Sequence, residues 1–192
     1  VGRILAAIER LGQLDDTIVV FTSDHGDMMG DHGLMLKGFI PYRGTLQVPF
    51  VIADPRRDPA RTRSLAGSID LGATLMELCD VSPHGGIQGR SLVPVLDDPD
   101  ATVRDHVLVE DDIPSALAGR RLPARIRSLI SAEGWKYSRN GHGETMLFDL
   151  ADDPHELHER SHVDGTRRAH ADSLLVDAWM QASDDARGAP VG

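Results

Sequence analysis

One cysteine in 192 residues leaves nothing for an intrachain disulfide to join, so this chain must be held by packing and polar contacts. That residue, Cys79, lies in Leu75-Met76-Glu77-Leu78-Cys79-Asp80-Val81, an apolar helical pattern that predicts a small core side chain. No run of about 18 apolar residues exists to span a membrane. Basic charge is also short. A formal charge of −10 excludes the basic face that a nucleic-acid binder needs. No internal repeat or low-complexity block stands out. What is left is an ordinary soluble composition, with 41% apolar and 26% charged residues. The length fits one domain, or one domain with a small appendage.

Hydrophobic spacing sets out the order of elements. Ile4, Leu5, Ile8, Leu11 and Leu14 recur at three- and four-residue intervals, predicting a helix over 1–14 packed by one face. Gly12 and Asp15-Asp16 close it and lead into Thr17-Ile18-Val19-Val20-Phe21, a β-branched and aromatic run that reads as a buried strand. Val48-Pro49-Phe50-Val51-Ile52-Ala53 predicts the next strand, with Pro49 suited to its start. Residues 54–63 read as a surface loop, and 70–79 as a helix with Asp70 or Ser68 as N-cap. A short helix follows at about 91–96. Helix, turn and apolar strand point to an α/β fold whose first part, residues 1–104, belongs to a mainly parallel sheet layered with helices.

The pattern then changes. Val107–Glu110, Ile126–Ser131, Trp135–Ser138 and Met146–Leu150 are short β-prone runs, with Glu133-Gly134 as a hairpin turn. Residues 105–192 therefore predict a small antiparallel sheet packed with a helix over 169–183. Trp135 and Tyr137 alternate on one strand and should share a face. Asp153-Pro154-His155-Glu156 offers an N-cap, a first-turn proline and a first-turn acid, the signals of a helix start. His155, His158 and His162 would then form a solvated helix face rather than a metal face. Arg120-Arg121 and Arg125-Arg127 read as charged guards of a loop and strand edge.

The chemistry concentrates where the first strand ends, in Thr22-Ser23-Asp24-His25-Gly26-Asp27-Met28-Met29-Gly30-Asp31-His32-Gly33-Leu34-Met35-Leu36-Lys37. Ligands collect at the carboxyl ends of strands in open α/β sheets. Adjacent Asp24 and His25 reach one ion only if the backbone turns there, which Gly26 permits. A carboxylate and an imidazole suit a divalent ion of intermediate hardness, with further ligands supplied from elsewhere. Such an ion would let an acidic protein bind an anionic ester. Lys37 would be a fixed cation for an oxyanion or leaving-group oxygen. Spacing alone leaves a second reading open, in which Asp24 caps a turn and His25 is a satisfied loop residue.

Several of these segments together resemble the sulfatase family of the alkaline phosphatase-like superfamily. Phe21-Thr22-Ser23-Asp24-His25-Gly26, Gly30-Asp31-His32-Gly33-Leu34 and Lys37 resemble its second metal-binding motif. Asp70-Leu71-Gly72-Ala73-Thr74-Leu75 with Gln88-Gly89-Arg90-Ser91-Leu92 resembles its next helix and loop. Trp135-Lys136-Tyr137, Leu147-Phe148-Asp149-Leu150, Asp153-Pro154 and Glu156 resemble its C-terminal subdomain. The resemblance implies Asp24 and His25 as ligands of one divalent cation, Ca²⁺ foremost and Mn²⁺ as the variant of phosphonate-ester relatives. It implies Lys37 as the contact to the ester oxyanion. His32 joins Lys37 among the candidate catalytic residues, with a loop-shaping role preferred. Asp27 and Asp31 read as loop acids. The substrate would be a small-molecule sulfate ester.

The family's nucleophile is a formylglycine made in a Cys/Ser-x-Pro-x-Arg motif, and residues 1–192 contain no such motif. Cys79-Asp80-Val81-Ser82-Pro83 has the wrong spacing and no following arginine. The early metal-binding aspartate pair is missing as well, and Arg43-Gly44 and Gln47 replace residues that relatives often carry as acidic and arginine. The chain is therefore expected to be the C-terminal part of a longer enzyme, inactive by itself, with formylglycine upstream. A phosphonate or phosphate ester hydrolase of the same superfamily, and a non-catalytic binding module, are the rival readings. Oligomeric state and compartment, cytoplasmic or exported, are open at this level.

Overall fold

The computed structural model describes residues 1–37, 40–112 and 125–188. In chain order these form α1 (Gly2–Arg10), β1 (Val19–Thr22), α2 (Arg43–Leu46), β2 (Phe50–Ala53), α3 (Asp70–Leu78), α4 (Val93–Asp97), β3 (His106–Asp112), β4 (Arg125–Ser131), β5 (Trp135–Asn140), β6 (Thr145–Asp149) and α5 (Gly165–Gly188). The fold is mixed α/β with helices around two sheets. Arg120 and Arg121 lie outside the described residues.

β1 and β2 pair antiparallel, with Val19 opposite Ala53 and Phe21 opposite Val51. The mainly parallel sheet expected from the helix–strand alternation is not seen among the described residues. The physical reason is the connection. The chain between β1 and β2 is long enough for a crossover, but its described part forms a wound loop and the single turn of α2 and not the packed helix that usually carries a parallel connection. Nor is the first strand buried as its composition suggests, for Phe21 stays 47% exposed and Val51 faces solvent beside it. α1 covers only the first part of the expected 1–14 span, ending at Arg10, and it buries none of its residues, so the expected packed face is not seen.

α3 is anchored through Asp70, although not as a helix cap. Its buried carboxylate accepts from the Gly67 and Arg90 amides at 2.9 and 2.8 Å and pairs with the Arg104 guanidinium. Thr74 extends the same joint, donating to the Asp70 carbonyl at 2.7 Å and accepting from the Leu92 amide at 2.9 Å. The expected core position of Cys79 is wrong: its side chain is exposed. It lies just past the last turn of α3, where Asp80 swings into left-handed backbone at φ +55.

The C-terminal sheet follows its sequence pattern closely. β3, β4, β5 and β6 neighbour one another in chain order, every pair antiparallel, with Gly134 at φ +85 in the β4–β5 turn. Period-two alternation gives each strand two faces. Leu129, Tyr137 and Leu147 form one cross-strand row, and they pack on Ala171, Leu175 and Ala178 of α5 with Trp135 and Leu174 at the margin. The alanines at i and i+7 let the helix approach the sheet. Each large side chain buried here stabilises by about 1.5–3 kcal/mol. The opposite face carries Lys136 beside Phe148, its partner on β6.

The helix expected to start at Asp153 does not form. Asp153 is buried and accepts from the Leu157 and His158 amides at 3.0 and 2.7 Å, which closes a loop. Glu156 sits at φ +58, incompatible with continuing right-handed turns. His155, His158 and His162 consequently share no helix face, and all three are exposed.

Two outcomes follow from these joints. Asp70→Asn strands the Arg104 guanidinium and should cost about 3–5 kcal/mol in urea unfolding, part of which Asp70→Asn/Arg104→Met should recover. Burial pushes the Asp153 carboxyl up, but the two amide donors and the charges of His158 and Arg160 outweigh it and set it below the ordinary 3.8. A lowered carboxyl stabilises above that value and loses its contribution as pH falls through the folded one. Acid unfolding should thus steepen below 3.8, and Asp153→Asn should flatten that limb.

Candidate metal and oxyanion site

β1 delivers Ser23, Asp24 and His25 at its carboxyl end, where the chain stops pairing and turns. Asp24 Oδ1 accepts from the His25 amide at 3.0 Å and from Ser23 Oγ at 3.4 Å, which leaves Oδ2 uncommitted to either. His25 Nδ1 lies 2.9 Å from the Gly26 carbonyl oxygen. A carbonyl only accepts, so that nitrogen carries the proton and Nε2 presents its lone pair. Nε2 and Asp24 Oδ2 are 3.5 Å apart. Two electron-rich atoms at that separation are reconciled by a cation between them or by a proton on the ring.

The spacing fits a metal. Ca²⁺-type bonds of about 2.3–2.6 Å place right-angle ligands roughly 3.3–3.7 Å apart. The hydrogen bond from the His25 amide, foremost, holds the Asp24 carboxyl below its ordinary value, so it is anionic at neutral pH. Among the described residues no third His, Cys, Asp or Glu gathers with this pair, and both side chains are open, at 84% and 40% exposure.

The loop that follows is tightly wound. Met28 is buried, its amide donates to the Leu36 carbonyl at 3.2 Å, and the Gly30 amide donates to the Leu34 carbonyl at 2.8 Å. That closure brings the backbone before Lys37 next to Met28, a few residues from Asp24 and His25, with the Lys37 side chain exposed. Asp27 Oδ1 accepts from the Met29 amide at 2.9 Å, as expected of a loop acid. Met29, His32 and Leu36 all adopt positive φ, at 49, 54 and 67. Such non-glycine backbone costs about 1–3 kcal/mol per residue and persists only where the surroundings impose it.

His32 does not turn toward Asp24 and His25. Its ring stacks on Tyr42, with centroids 3.8 Å apart and planes 6° from parallel. Tyr42 in turn lies between the site loop and the C-terminal sheet, its ring tilted against Phe148 at 6.0 Å. Burial and then the charges of Glu156 and Glu159 raise the Tyr42 hydroxyl above its usual range, which keeps it neutral. The Asp24–Gly26 turn is fastened to the same short helix: the Gly26 amide donates to the Thr45 carbonyl at 2.9 Å, and a Cβ on Gly26 would meet the Gly44 oxygen. Tyr42, Gly44 and Thr45 escape a reading by motif, since backbone proximity leaves no residue-type signal.

Residues 1–81 match the family model described as Sulfatase. The chain belongs to the sulfatase family.

An arylsulfatase of Clostridium perfringens is 33% identical over 165 residues, covering 82% of this chain and 32% of that protein. The phosphonate monoester hydrolase of Agrobacterium radiobacter superposes with a TM-score of 0.83 at 29% identity, covering 94% of this chain and 38% of that one. A structure of BT4656 in complex with its substrate D-glucosamine-2-N,6-O-disulfate gives a TM-score of 0.78 at 26% identity, over 95% of this chain and 38% of that chain. The chain thus spans about a third of the length of the sulfatases it matches. The Arg43 guanidinium bonds Gln47 and, at 3.1 Å, the Pro154 carbonyl.

Gly26→Ala tests the fit between the metal turn and α2. The clash is with backbone, so the turn must shift, at a cost of about 1–3 kcal/mol in thermal unfolding. Gly30→Ala is the contrast: nothing lies within 4 Å of its Cβ, and only its positive φ is strained.

Proposed function

We propose that this chain contributes the metal-ligating arm of a metal-dependent, sulfatase-like hydrolase acting on sulfate monoesters. The observation that carries the reading is the pairing of Asp24 Oδ2 with His25 Nε2 at 3.5 Å, each left open by the hydrogen bonds of its partner atom. Family membership supports the same reading. In this proposal Asp24 and His25 hold one divalent cation, Ca²⁺ foremost or Mn²⁺. When bound, that ion supplies positive charge to neutralise the non-bridging oxygens of the ester.

The chain's own residues then have separate tasks. The Gly26 carbonyl fixes the His25 tautomer, and Ser23 and the His25 amide orient the Asp24 carboxylate. Lys37 offers an ammonium to the ester oxyanion or the departing oxygen. His32, flat against Tyr42, shapes the loop that presents Lys37. Residues 1–192 hold no Cys/Ser-x-Pro-x-Arg motif in which a formylglycine nucleophile could form. The paired strands β1 and β2 would belong to a larger, mainly parallel sheet, and residues 105–192 to a separate small subdomain. A helix long and apolar enough to cross a membrane is absent among the described residues.

A second reading has its own support: the phosphonate monoester hydrolase likeness makes a phosphonate or phosphate ester the rival substrate. Both oxyanions suit the same cation and lysine. Paired 4-nitrophenyl sulfate and phenylphosphonate assays on the full-length enzyme separate the two by their kcat/KM ratio. Asp24→Asn or His25→Ala should lower kcat/KM by about 10²-fold or more, the several kcal/mol that a metal's charge supplies. Wild-type turnover by either variant would sink the assignment. Residues 1–192 alone should hydrolyse neither ester.

A further inference from the structure

The metal turn and the His32 loop meet the C-terminal sheet at one buried ion pair. Lys136 on β5 and Glu156 in the loop after β6 are 2% and 1% exposed and bond each other directly. Each also takes hold of backbone next to α2. Lys136 Nζ donates to the Pro41 carbonyl at 2.5 Å, and Glu156 Oε2 accepts from the Arg43 amide at 2.7 Å. The two grips flank Tyr42 on either side in sequence. Above them the ammonium lies 5.5 Å from the centre of the Tyr42 ring and 5.2 Å from that of Phe148.

We infer that the Lys136–Glu156 pair is a remote positioning device for the candidate site. It fixes residues 41 and 43, presents the Tyr42 ring as the plate on which His32 stacks, and so holds the 26–37 loop in its left-handed turns. The second strut runs through α2, whose Thr45 carbonyl receives the Gly26 amide beside Asp24 and His25. Neither Lys136 nor Glu156 is a catalytic residue, for both act through Tyr42 and α2. A buried pair kept only for stability would need no contact with Pro41 or Arg43, and an apolar pair would stabilise as well. The backbone grips argue for placement, and the strain at Met29, His32 and Leu36 is what placement has to offset.

The inference rests on the proposed metal site for its purpose, and the test keeps the two apart. The full chain, labelled at histidine, is followed by NMR during titration with MnCl₂. In the wild type, the His32 ring protons, shielded by the Tyr42 stack, should resonate upfield of the other exposed histidines, and His25 should broaden first with Mn²⁺. Lys136→Met/Glu156→Leu replaces the pair by apolar side chains and should keep the cooperative fold. In it the upfield displacement of His32 should vanish, and half-broadening of His25 should need about tenfold more Mn²⁺. Tyr42→Leu, which spares the ion pair, should give the same two changes and serves if the double variant does not fold.

Lys136→Arg, keeping charge and donors, should restore part of the His32 displacement. A folded double variant with wild-type His32 shifts and Mn²⁺ response overturns the inference, as does a Tyr42→Leu protein whose Mn²⁺ response is unchanged. If the wild type shows no Mn²⁺ effect on His25, the metal assignment fails by itself. The His32 displacement then decides whether the pair positions the loop.

Discussion

A lysine ammonium and a glutamate carboxylate, both almost wholly withdrawn from water, join the parts of this chain that matter most. Removing two charges from water costs several kcal/mol each, and their mutual attraction recovers that only with further hydrogen bonds in place. Lys136 and Glu156 have them, at the Pro41 carbonyl and the Arg43 amide. Burial drives the Lys136 ammonium below its usual range, and the Glu156 charge works against that shift. Glu156 occupies left-handed backbone at φ +58, and its side chain accepts from the Arg43 amide at the start of α2. One contact thereby fixes a loop, a short helix and the far face of a sheet.

The candidate site follows the same logic on a smaller scale. Asp24 and His25 are each half satisfied by local bonds, so that the remaining oxygen and nitrogen confront one another. Their immediate support is Gly26, which no other residue can replace without meeting the Gly44 oxygen. The wound loop beyond is held by buried Met28 and by the His32–Tyr42 stack. Nothing in this assembly is rigid by propensity. It is held by α2, and α2 is held by the sheet.

Much of the C-terminal sheet was legible in the sequence because period-two alternation is a local signal. Trp135 and Tyr137 share the helix-facing side as their spacing implies, and the Glu133-Gly134 turn sits where expected. The same alternation says that Lys136 points to the other face, but a lysine there reads as solvated. Only the loop packed over it makes the ammonium buried. Asp153 and Glu156 mislead in the opposite way, since their residue types are those of a helix start while their side chains bond across a loop and into a neighbouring element. Cys79 misleads because helical periodicity runs one residue past the last turn of α3.

The sequence by itself singled out the candidate residues: Asp24, His25 and Lys37 stand out by type, order and position after a β-branched run, and the family resemblance rests on several such segments taken together. It also determined that the C-terminal half builds a small antiparallel sheet, because period-two alternation and the Glu133-Gly134 turn are local signals. The tertiary structure alone decided that β1 and β2 run antiparallel, that His32 lies against Tyr42 and not beside Asp24 and His25, and that Lys136 and Glu156 meet. Those facts depend on contacts between residues far apart in the chain. Local periodicity carries information over a few residues, whereas burial and charge pairing are settled only when distant segments close on one another.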